Sequence, residues 1–379
     1  LDMGKKISIV GAGNAACISA LTLHIEGQLK RDNVSEIEIC YDPDVSIEKV
    51  GQGTLPSITR LISQVLDLTY YQEENKTKST IKSGILYENW GKKTPKNFHP
   101  FLMSSPATHY VPHLLSKVVL ESGLFKVVEK NIGDPEEEID SDFIFDCRGG
   151  KGRDKKLYKK IINPLNSVLL YNKKGRDSNL LYTRTVATPN GWTFVIPNMD
   201  SVSYGYLYND TITSKEDARK DFLDRFDLPE VDSELSFDNY VAKSMFTGER
   251  TILNGNKFCF IEPLEATSTS FYQLVTSVAW NYMFSQGQGT SKKESNRFIH
   301  REVEKIQNFI MWHYHTGSKY NTPFWKYAKK LSKGTWDCDN ELQSAINFSR
   351  LGTRSQFHNI PDSYSQWHVN SIKNWDEVV

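Results

Sequence analysis

The chain has 379 residues, and its 46 lysines and arginines balance its 46 aspartates and glutamates. A chain of this length can bury more than one core, and a balanced charge offers no basic field to a nucleic acid or an anionic membrane. The 5 cysteines show no metal-ligand spacing, and no apolar run approaches the roughly 18 residues that span a bilayer. His313 and His315 would point to different faces of a helix, so they predict no metal pair. We therefore expect a cytoplasmic protein of two or more lobes with a small, weakly charged ligand and with no metal, nucleic-acid or membrane partner.

The first predicted element is a strand, Lys6 to Val10, which runs into a glycine turn and an apolar helix. Gly11 permits the tight turn, Gly13 lets a pyrophosphate approach the backbone, and Ala16 lets the helix pack closely on the strand. This pattern predicts a dinucleotide site, with a purely structural βαβ unit as the alternative. The candidate ligands are Gly11, Gly13, Asn14, Ala15 and Ala16.

A second predicted strand, Glu36 to Tyr41, is followed by Asp42. A carboxylate at that point of a nucleotide-binding unit can accept a hydrogen bond from a ribose hydroxyl. Asp42 lies further from the glycines than the usual ~20 residues, which leaves Tyr41 as an alternative occupant of that place. Both residues are therefore candidates for cofactor binding.

A second turn of small residues, Gly51-Gln52-Gly53-Thr54-Leu55-Pro56, leads into a segment that we expect to be helical through about Leu68. Glycines in such a turn indicate close approach of the backbone to a flat ligand. The turn adds Gly51, Gly53 and Thr54 to the cofactor-binding candidates.

The run from Thr80 to Trp90 is predicted to be one strand, because Ile81, Ile85 and Tyr87 alternate on one face. Lys82 falls on the other face. A lysine in that position is more often a surface residue, whose stem packs on apolar neighbours, than a functional group. Position alone therefore gives Lys82 no role unless it has a partner.

The apolar strand Phe143 to Asp146 ends in a turn containing Gly149, of the type that closes a nucleotide-binding sheet on its ligand side. After about Asn163, short alternating runs separated by Asn, Gly and Pro turns predict antiparallel sheet. Beyond Ser268, apolar residues repeat at helical spacing. The chain thus combines a nucleotide-binding sheet, an antiparallel sheet and a helical C-terminal part.

The stretch from Phe260 to Ser268 places two carboxylates and a proline between an apolar strand and an apolar helix. Pro263 suits the first turn of a helix, and the amides just past it lack intrahelical acceptors, so an anion can bind there. Glu265 would lie beside that anion. The alternative is a helix start with a capping carboxylate.

Taken in order, these motifs resemble the flavin-dependent halogenases of the tryptophan halogenase family. The resemblance covers about residues 6 to 285 and depends most on the lysine strand and the tryptophan-containing motif. The matching segments are the first glycine turn, Gly51 to Pro56, the strand that ends at Trp90, Asp146-Cys147, Gly191 to Pro197, and Phe260 to Ser268.

The resemblance implies a halogenase mechanism. In this family, reduced FAD from a separate flavin reductase reacts with oxygen to give a flavin hydroperoxide, which oxidises a bound halide to hypohalous acid. Lys82 would hold or activate this oxidant, and Glu265 would orient it or take the proton from the substrate. The halide (chloride, bromide or iodide) would bind the amides of Thr267 and Ser268. Trp192, beside the flavin, and Phe194 would stand between the flavin and an electron-rich aromatic substrate such as an indole or a phenol, and would screen the substrate from direct oxygen transfer.

Several residues depart from the pattern of the family. Phe194 replaces the second tryptophan of the signature, and Arg148 replaces a small hydroxyl residue at the nucleotide turn. Ala266 stands where serine is common, and Ser268 stands where tryptophan-specific members have glycine, which would alter halide preference. The segment 257–259 replaces small residues that would permit close approach to the flavin.

We predict a mixed α/β fold with a Rossmann-like FAD-binding lobe (3–162 and 250–290), an antiparallel-sheet substrate lobe (163–249) and a helical C-terminal cap (291–379). The predicted function is halogenation that depends on reduced FAD and oxygen. The alternatives are a flavin-dependent aromatic hydroxylase and an FAD-binding relative without catalysis. A homo-oligomeric state is left open.

Overall fold

The computed structural model describes residues 4–30, 34–69, 72, 74–101, 104–179, 181–284, 290–351 and 363–379. The strands are β1 Lys5–Val10, β2 Val34–Tyr41, β3 Gln52–Gly53, β4 Thr80–Lys82, β5 Gly84–Glu88, β6 Lys96–Pro100, β7 Ala107–Tyr110, β8 Lys126–Glu129, β9 Phe143–Asp146, β10 Tyr158–Lys160, β11 Ser167–Lys174, β12 Thr183–Thr188, β13 Gly191–Pro197, β14 Ser201–Tyr208, β15 Ser233–Ser236, β16 Tyr240–Ala242, β17 Phe246–Thr247, β18 Thr251–Leu253, β19 Cys259–Phe260, β20 Ser363–Tyr364 and β21 Trp367–His368. The helices are α1 Asn14–Lys30, α2 Pro56–Leu66, α3 Pro112–Glu121, α4 Pro135–Glu138, α5 Lys215–Phe226, α6 Ser268–Phe284, α7 Lys292–Thr316, α8 Pro323–Ser332, α9 Asn340–Leu351 and α10 Val369–Asp376. None of these helices combines the length and hydropathy that a membrane crossing requires.

The chain divides into two compact units. The first comprises Leu1–Ile81, Ser105–Lys160 and Tyr240–His300, and the second comprises Lys82–Ser104, Ile161–Asn239 and Arg301–Val379. The assignment of FAD binding, substrate binding and a cap to particular lobes stays a prediction. Residues 3, 31–33, 70–71, 73, 102–103, 180, 285–289 and 352–362 of the predicted lobes lie outside the described residues.

The first unit is built on a sheet of strand order β17-β18-β9-β1-β2-β8. In it β1 pairs in parallel with both β2 and β9, and β8 and β18 continue the parallel arrangement. Residues 7–10 are all buried, as expected for a parallel strand covered on both faces. The carboxyl ends of β1, β2 and β9 therefore meet at one edge, where ligands of such sheets bind.

A buried asparagine connects this sheet to two helices. The Asn254 amide nitrogen, just past β18, lies 2.9 Å from Ser19 Oγ on α1. It also lies 3.0 Å from the Tyr272 carbonyl and 3.1 Å from Thr276 Oγ1 on α6. Because Asn254 is fully buried, these bonds fix where α1 and α6 cross the sheet edge.

The second unit contains a sheet of order β15-β11-β14-β13-β12-β5-β6, antiparallel except between β12 and β5. Alternate residues of β14, including Tyr204 and Tyr206, join a cluster with Ala218 and Phe222 of α5. The Tyr206 hydroxyl donates to Asp221 Oδ2 at 2.7 Å, which satisfies the one polar atom of a buried ring. The prediction of a mixed α/β fold with an antiparallel sheet is confirmed.

The predicted single strand from residue 80 to residue 90 is wrong, because the strand is interrupted at Ser83. β4 belongs to a small sheet of order β3-β7-β4, whereas β5 belongs to the large sheet of the second unit. Between them the Ser83 amide donates to the Leu181 carbonyl at 2.7 Å, and its carbonyl accepts from the Phe101 amide at 2.7 Å. The break ends the alternation of faces on which the prediction rested.

Candidate functional site

The glycine turn after β1 has the geometry of a cradle for a dinucleotide. Gly11 has φ +119° and its amide donates to the Cys40 carbonyl at 2.8 Å, so the turn is tight. A Cβ on Gly11 would lie 3.0 Å from the Cys147 carbonyl oxygen, whereas a Cβ on Gly13 would meet no atom within 4 Å. The backbone at Gly13 therefore borders open space at the ligand edge of the sheet, which fits the pyrophosphate of FAD.

Asn14 has a structural task that its position in the sequence did not reveal. Its Oδ1 accepts from the Tyr110 hydroxyl at 2.7 Å, and its Nδ2 donates to Gln52 Oε1 at 3.3 Å. Burial raises the pKa of Tyr110, which keeps this phenol protonated as a donor. Asn14 thus ties the first glycine turn to the second.

Ala15 and Ala16 are buried at the start of α1. A Cβ on Gly255 would lie 2.4 Å from the Cβ of Ala15, so the backbone of Gly255 can approach α1 only because both Gly255 and Ala15 are small. A direct contact of Ala15 or Ala16 with the cofactor stays a prediction.

The two candidates at the end of β2 have different surroundings. The Tyr41 hydroxyl donates to Glu129 Oε1 at 2.8 Å, and this hydrogen bond raises the pKa of Tyr41. Asp42 is half-buried, and its Oδ1 accepts from the Asp44 amide at 3.0 Å. Both lie at the ligand edge of the parallel sheet, and which of them binds a ribose stays open.

The second glycine turn is held by a short antiparallel pairing of β3 with β7, in which Gly53 lies opposite His109. Gly51, Gly53 and Thr54 are buried. The Thr54 hydroxyl donates to the Thr108 carbonyl at 2.7 Å and accepts from the Thr108 amide at 3.0 Å. These bonds give Thr54 a structural role, and its contact with a cofactor stays a prediction.

Arg148, a departure from the family pattern, clamps the turn that follows β9. Its Nε and Nη2 donate to the two carboxylate oxygens of Asp146 at 2.9 and 2.8 Å. Its Nη1 donates to the carbonyls of Ile132 and Gly133 at 2.6 and 2.9 Å. The hydrogen bond with Asp146 raises the pKa of Arg148, so the guanidinium stays charged.

Gly149 follows this clamp with φ +84°, and a Cβ there would meet no atom within 4 Å. Like Gly13, it presents its backbone to open space at the ligand edge of the sheet. The glycine residue type in a turn after a strand is enough to predict Gly149 as a cofactor-binding candidate. The role of Arg148 cannot be predicted in this way, because it depends on the carbonyls of Ile132 and Gly133, which are distant in the chain.

The predicted helix start at Pro263 is wrong, because α6 begins only at Ser268. A single 3-10 turn, Leu264–Ala266, comes first, and in it Glu265 (φ 72°) and Ala266 (φ 52°) both have left-handed backbone. Such a conformation costs a residue other than glycine about 1–2 kcal/mol. The amides of the first turn of α6 therefore begin at the predicted halide residues rather than after the proline.

The residues at the predicted anion site are buried. Glu265 is 7% exposed and Thr267 is 5% exposed. The Thr267 carbonyl accepts from the Phe271 amide at 3.0 Å, so Thr267 stands at the N-terminal end of α6. Halide binding at Thr267 and Ser268 stays a prediction.

The bulky segment 257–259 packs into the first unit. Phe258 is fully buried and stacks on Phe271 with a centroid distance of 6.2 Å, and Cys259 is buried as well. Lys257 Nζ lies 3.9 Å from Asp146 Oδ2. Gly255 makes a close approach to Ala15, while the effect of this segment on approach to a flavin stays a prediction.

In the second unit, Lys82 is 0% exposed. The interpretation of Lys82 as a surface residue, which position alone favours, is therefore wrong. Its Nζ lies 5.4 Å from the centroid of the Phe101 ring, a cation–π distance. Lys82 and Glu265 belong to different units, and their pairing stays a prediction.

The tryptophan-containing motif forms β13, whose residues are all buried. The Trp192 indole nitrogen donates to the Tyr314 hydroxyl at 3.1 Å, and the Trp192 and Phe194 rings lie 6.3 Å apart at 62°. Trp192 is therefore fixed by a hydrogen bond as well as by packing, while its contact with a flavin stays a prediction. Within the described ranges, no group of three His, Cys, Asp or Glu side chains is arranged to hold a metal.

Comparison with known proteins gives a consistent result. The family model for tryptophan halogenase matches residues 6–117 and 115–359. Tryptophan 7-halogenase RebH of Lentzea aerocolonigenes is 21% identical over 293 residues, covering 69% of this chain and 54% of RebH. Tryptophan 6-halogenase ThaL of Streptomyces albogriseolus is 26% identical over 153 residues, covering 40% of this chain and 29% of ThaL.

Solved structures share the fold over nearly the whole chain. Xcc4156, a flavin-dependent halogenase from Xanthomonas campestris, matches with a TM-score of 0.78 at 18% identity, covering 100% of this chain and 90% of that one. BrvH, a flavin-dependent halogenase from Brevundimonas sp. BAL3, matches with a TM-score of 0.78 at 18% identity, covering 99% and 90%. The chain spans about half or less of the length of the first curated relatives. Since the family model covers most of the chain, the protein belongs to the tryptophan halogenase family.

Proposed function

We propose that the protein is a flavin-dependent halogenase that passes hypohalous acid to an electron-rich aromatic substrate by way of Lys82. The observation that carries the proposal is the complete burial of Lys82, the residue that the resemblance matches to the functional lysine of the family. Removing the charge of a lysine from water is costly, so a fully buried lysine is not explained as a solvated surface residue.

The first unit would hold FAD at the open backbone of Gly13 and Gly149. Reduced FAD, supplied by a separate flavin reductase, would give two electrons to oxygen, and the halide would give two more as it is oxidised to hypohalous acid, with water as the second product. The chain's own contribution here is placement: the Arg148 clamp and the Asn14 bonds fix the turns that would face the cofactor. A preorganised backbone loses little entropy when the ligand binds.

Lys82, as an ammonium, would donate a hydrogen bond to the oxidant and make its halogen more electrophilic. The face of Phe101 supports a positive charge at Nζ without competing for its protons. The buried carboxylate of Glu265 would stabilise the positive charge that develops on the ring and accept its proton. A chloride, bromide or iodide would bind at the start of α6, where backbone amides and the helix dipole favour an anion.

The substrate class follows from the aromatic side chains of the second unit and from the relatives. RebH and ThaL are both named tryptophan halogenases. Trp192 and Phe194 would form an aromatic wall of two inclined rings, which an indole or a phenol can contact by stacking or edge-to-face packing. The halogenation of such a ring, rather than its hydroxylation, is what we propose.

The test is an assay with a flavin reductase, FAD, oxygen and each halide against a panel of indoles and phenols, read by mass. Lys82→Met removes the charge at similar volume, and we expect halogenation to fall at least about a hundredfold while oxygen consumption continues. Lys174→Ala, at an exposed residue, is the control and should leave the rate unchanged.

Full halogenation by Lys82→Met would refute the role of Lys82. Hydroxylated products formed without halide would support a hydroxylase instead. Failure of the wild-type protein to bind FAD would support a relative without catalysis.

A further inference from the structure

Gly205 lies in the middle of β14 with no conformational need for glycine. It pairs with Phe194 on β13 and with Leu170 on β11, and its φ is not positive. Glycine in a strand interior costs about 0.5–1 kcal/mol relative to alanine, because it gains no packing and loses more chain entropy. A neighbouring group must therefore require the absence of a side chain at position 205.

That neighbour is the ring of Phe194. A Cβ at position 205 would lie 2.0 Å from Phe194 Cζ, 2.2 Å from Cε1 and 2.7 Å from Cε2. The far edge of the ring thus occupies the place that any other residue would fill with its side chain. Relief to an ordinary contact of 3.4 Å would move the ring edge by 3.4 − 2.0 = 1.4 Å.

The two aromatic residues of β13 are held in different ways. The Trp192 indole is anchored by its hydrogen bond to Tyr314. A phenyl ring has no such donor, so Phe194 depends on packing alone. The flat backbone of Gly205 is the surface on which that ring rests.

We propose that Gly205 is a positioning residue that sets where the Phe194 ring stands, and that it thereby determines which aromatic ring systems the substrate pocket accepts. The inference depends on the proposed function for its second half, because only there does Phe194 line a substrate pocket. A displacement of about 1 Å in a positioning group can change a rate about a hundredfold. A displaced Phe194 ring should therefore hinder the binding of a bicyclic indole more than that of a monocyclic phenol, because the indole needs a wider pocket.

The test is a double-mutant cycle of Gly205→Ala and Phe194→Ala. By itself Gly205→Ala should lower the Tm by several degrees and reduce kcat/KM for indole at least about tenfold more than for phenol. In the Phe194→Ala background the same substitution should change the Tm by less than about a degree and the indole-to-phenol ratio by less than about twofold.

The control is Val195→Ala, which faces the opposite cluster with Phe222. It should lower the Tm without changing the substrate ratio, and this separates lost stability from displaced geometry. Equal effects of Gly205→Ala in both backgrounds would overturn the positioning role. If the wild-type protein halogenates neither probe, the proposed function fails, while the Tm cycle still decides whether Gly205 positions the ring.

Discussion

Asp339 is predicted to contribute about 2 kcal/mol to stability at neutral pH. Its side chain is 1% exposed and accepts hydrogen bonds from Arg301 Nη2 at 3.0 Å, Asn308 Nδ2 at 2.9 Å and the Tyr364 hydroxyl at 2.8 Å. Burial alone would raise the pKa of Asp339, but these bonds outweigh it and lower the pKa from 3.8 to about 2. At about 1.36 kcal/mol per pKa unit, the difference gives about 2 kcal/mol.

The lowered pKa of Asp339 determines the pH range over which this side chain stabilises the fold. Because the folded pKa is below the unfolded one, the stabilisation is fully present above about pH 4 and is lost as the pH falls through about 2. Asp339→Asn keeps the shape but removes the charge that faces Arg301. We expect the free energy of unfolding at pH 7 to fall by about 2–4 kcal/mol, because Arg301 also loses its buried carboxylate partner and keeps only the more exposed Glu341 and Glu304.

The assay is urea unfolding followed by tryptophan fluorescence at several pH values. The difference between wild-type protein and Asp339→Asn should shrink between pH 4 and pH 2. Asp224→Asn, at a carboxylate that is 66% exposed and pairs with Lys220, is the control and should change stability by less than about 0.5 kcal/mol. A difference for Asp339→Asn that stays constant over this pH range, or that is absent at pH 7, would refute the reasoning.

Two further predictions concern the site. Arg148→Met should weaken FAD binding at least about tenfold, as measured by flavin fluorescence, because it leaves the Asp146 carboxylate buried without the guanidinium of Arg148. Adding Asp146→Asn should recover most of the lost affinity, because the buried charge is then removed as well. A double variant that binds FAD no better than Arg148→Met would contradict this account. Ala266→Gly should raise the free energy of unfolding, measured in urea, by up to about 1 kcal/mol, because glycine adopts a left-handed backbone conformation without strain. A less stable variant would show that the backbone of this turn is not strained.

The features that the sequence predicted best are those that depend on local backbone requirements. The turn at Gly11 and Gly13 was identifiable because a strand, a glycine pair and a helix follow one another within a few residues. The antiparallel strands were identifiable from period-two alternation, which fixes the buried face of each strand. These signals need no knowledge of what lies across the fold.

The features that it missed depend on distant partners. The break at Ser83 is held by Leu181 and Phe101, and neither is recognisable from the alternation of residues 81–87. The same holds for Arg148, whose clamp needs carbonyls at 132 and 133. Position in a strand alone gives no sign that Lys82 is buried, because a pattern of faces cannot show where a strand ends and the chain enters another sheet.

The segment before the Phe260 motif shows why residue size alone does not predict how a side chain is used. Bulky residues at 257–259 predict a loss of close approach to the flavin, since small residues usually stand there, and this stays a prediction. In the structure the Phe258 side chain packs in the core against Phe271, and Gly255 makes a close approach of a different kind, to Ala15 on α1. Whether a bulky side chain enters the core or borders a ligand depends on the direction in which the backbone presents it. That direction is set by the turn Gly255–Lys257 and by the elements packed against it, which the residue type does not reveal.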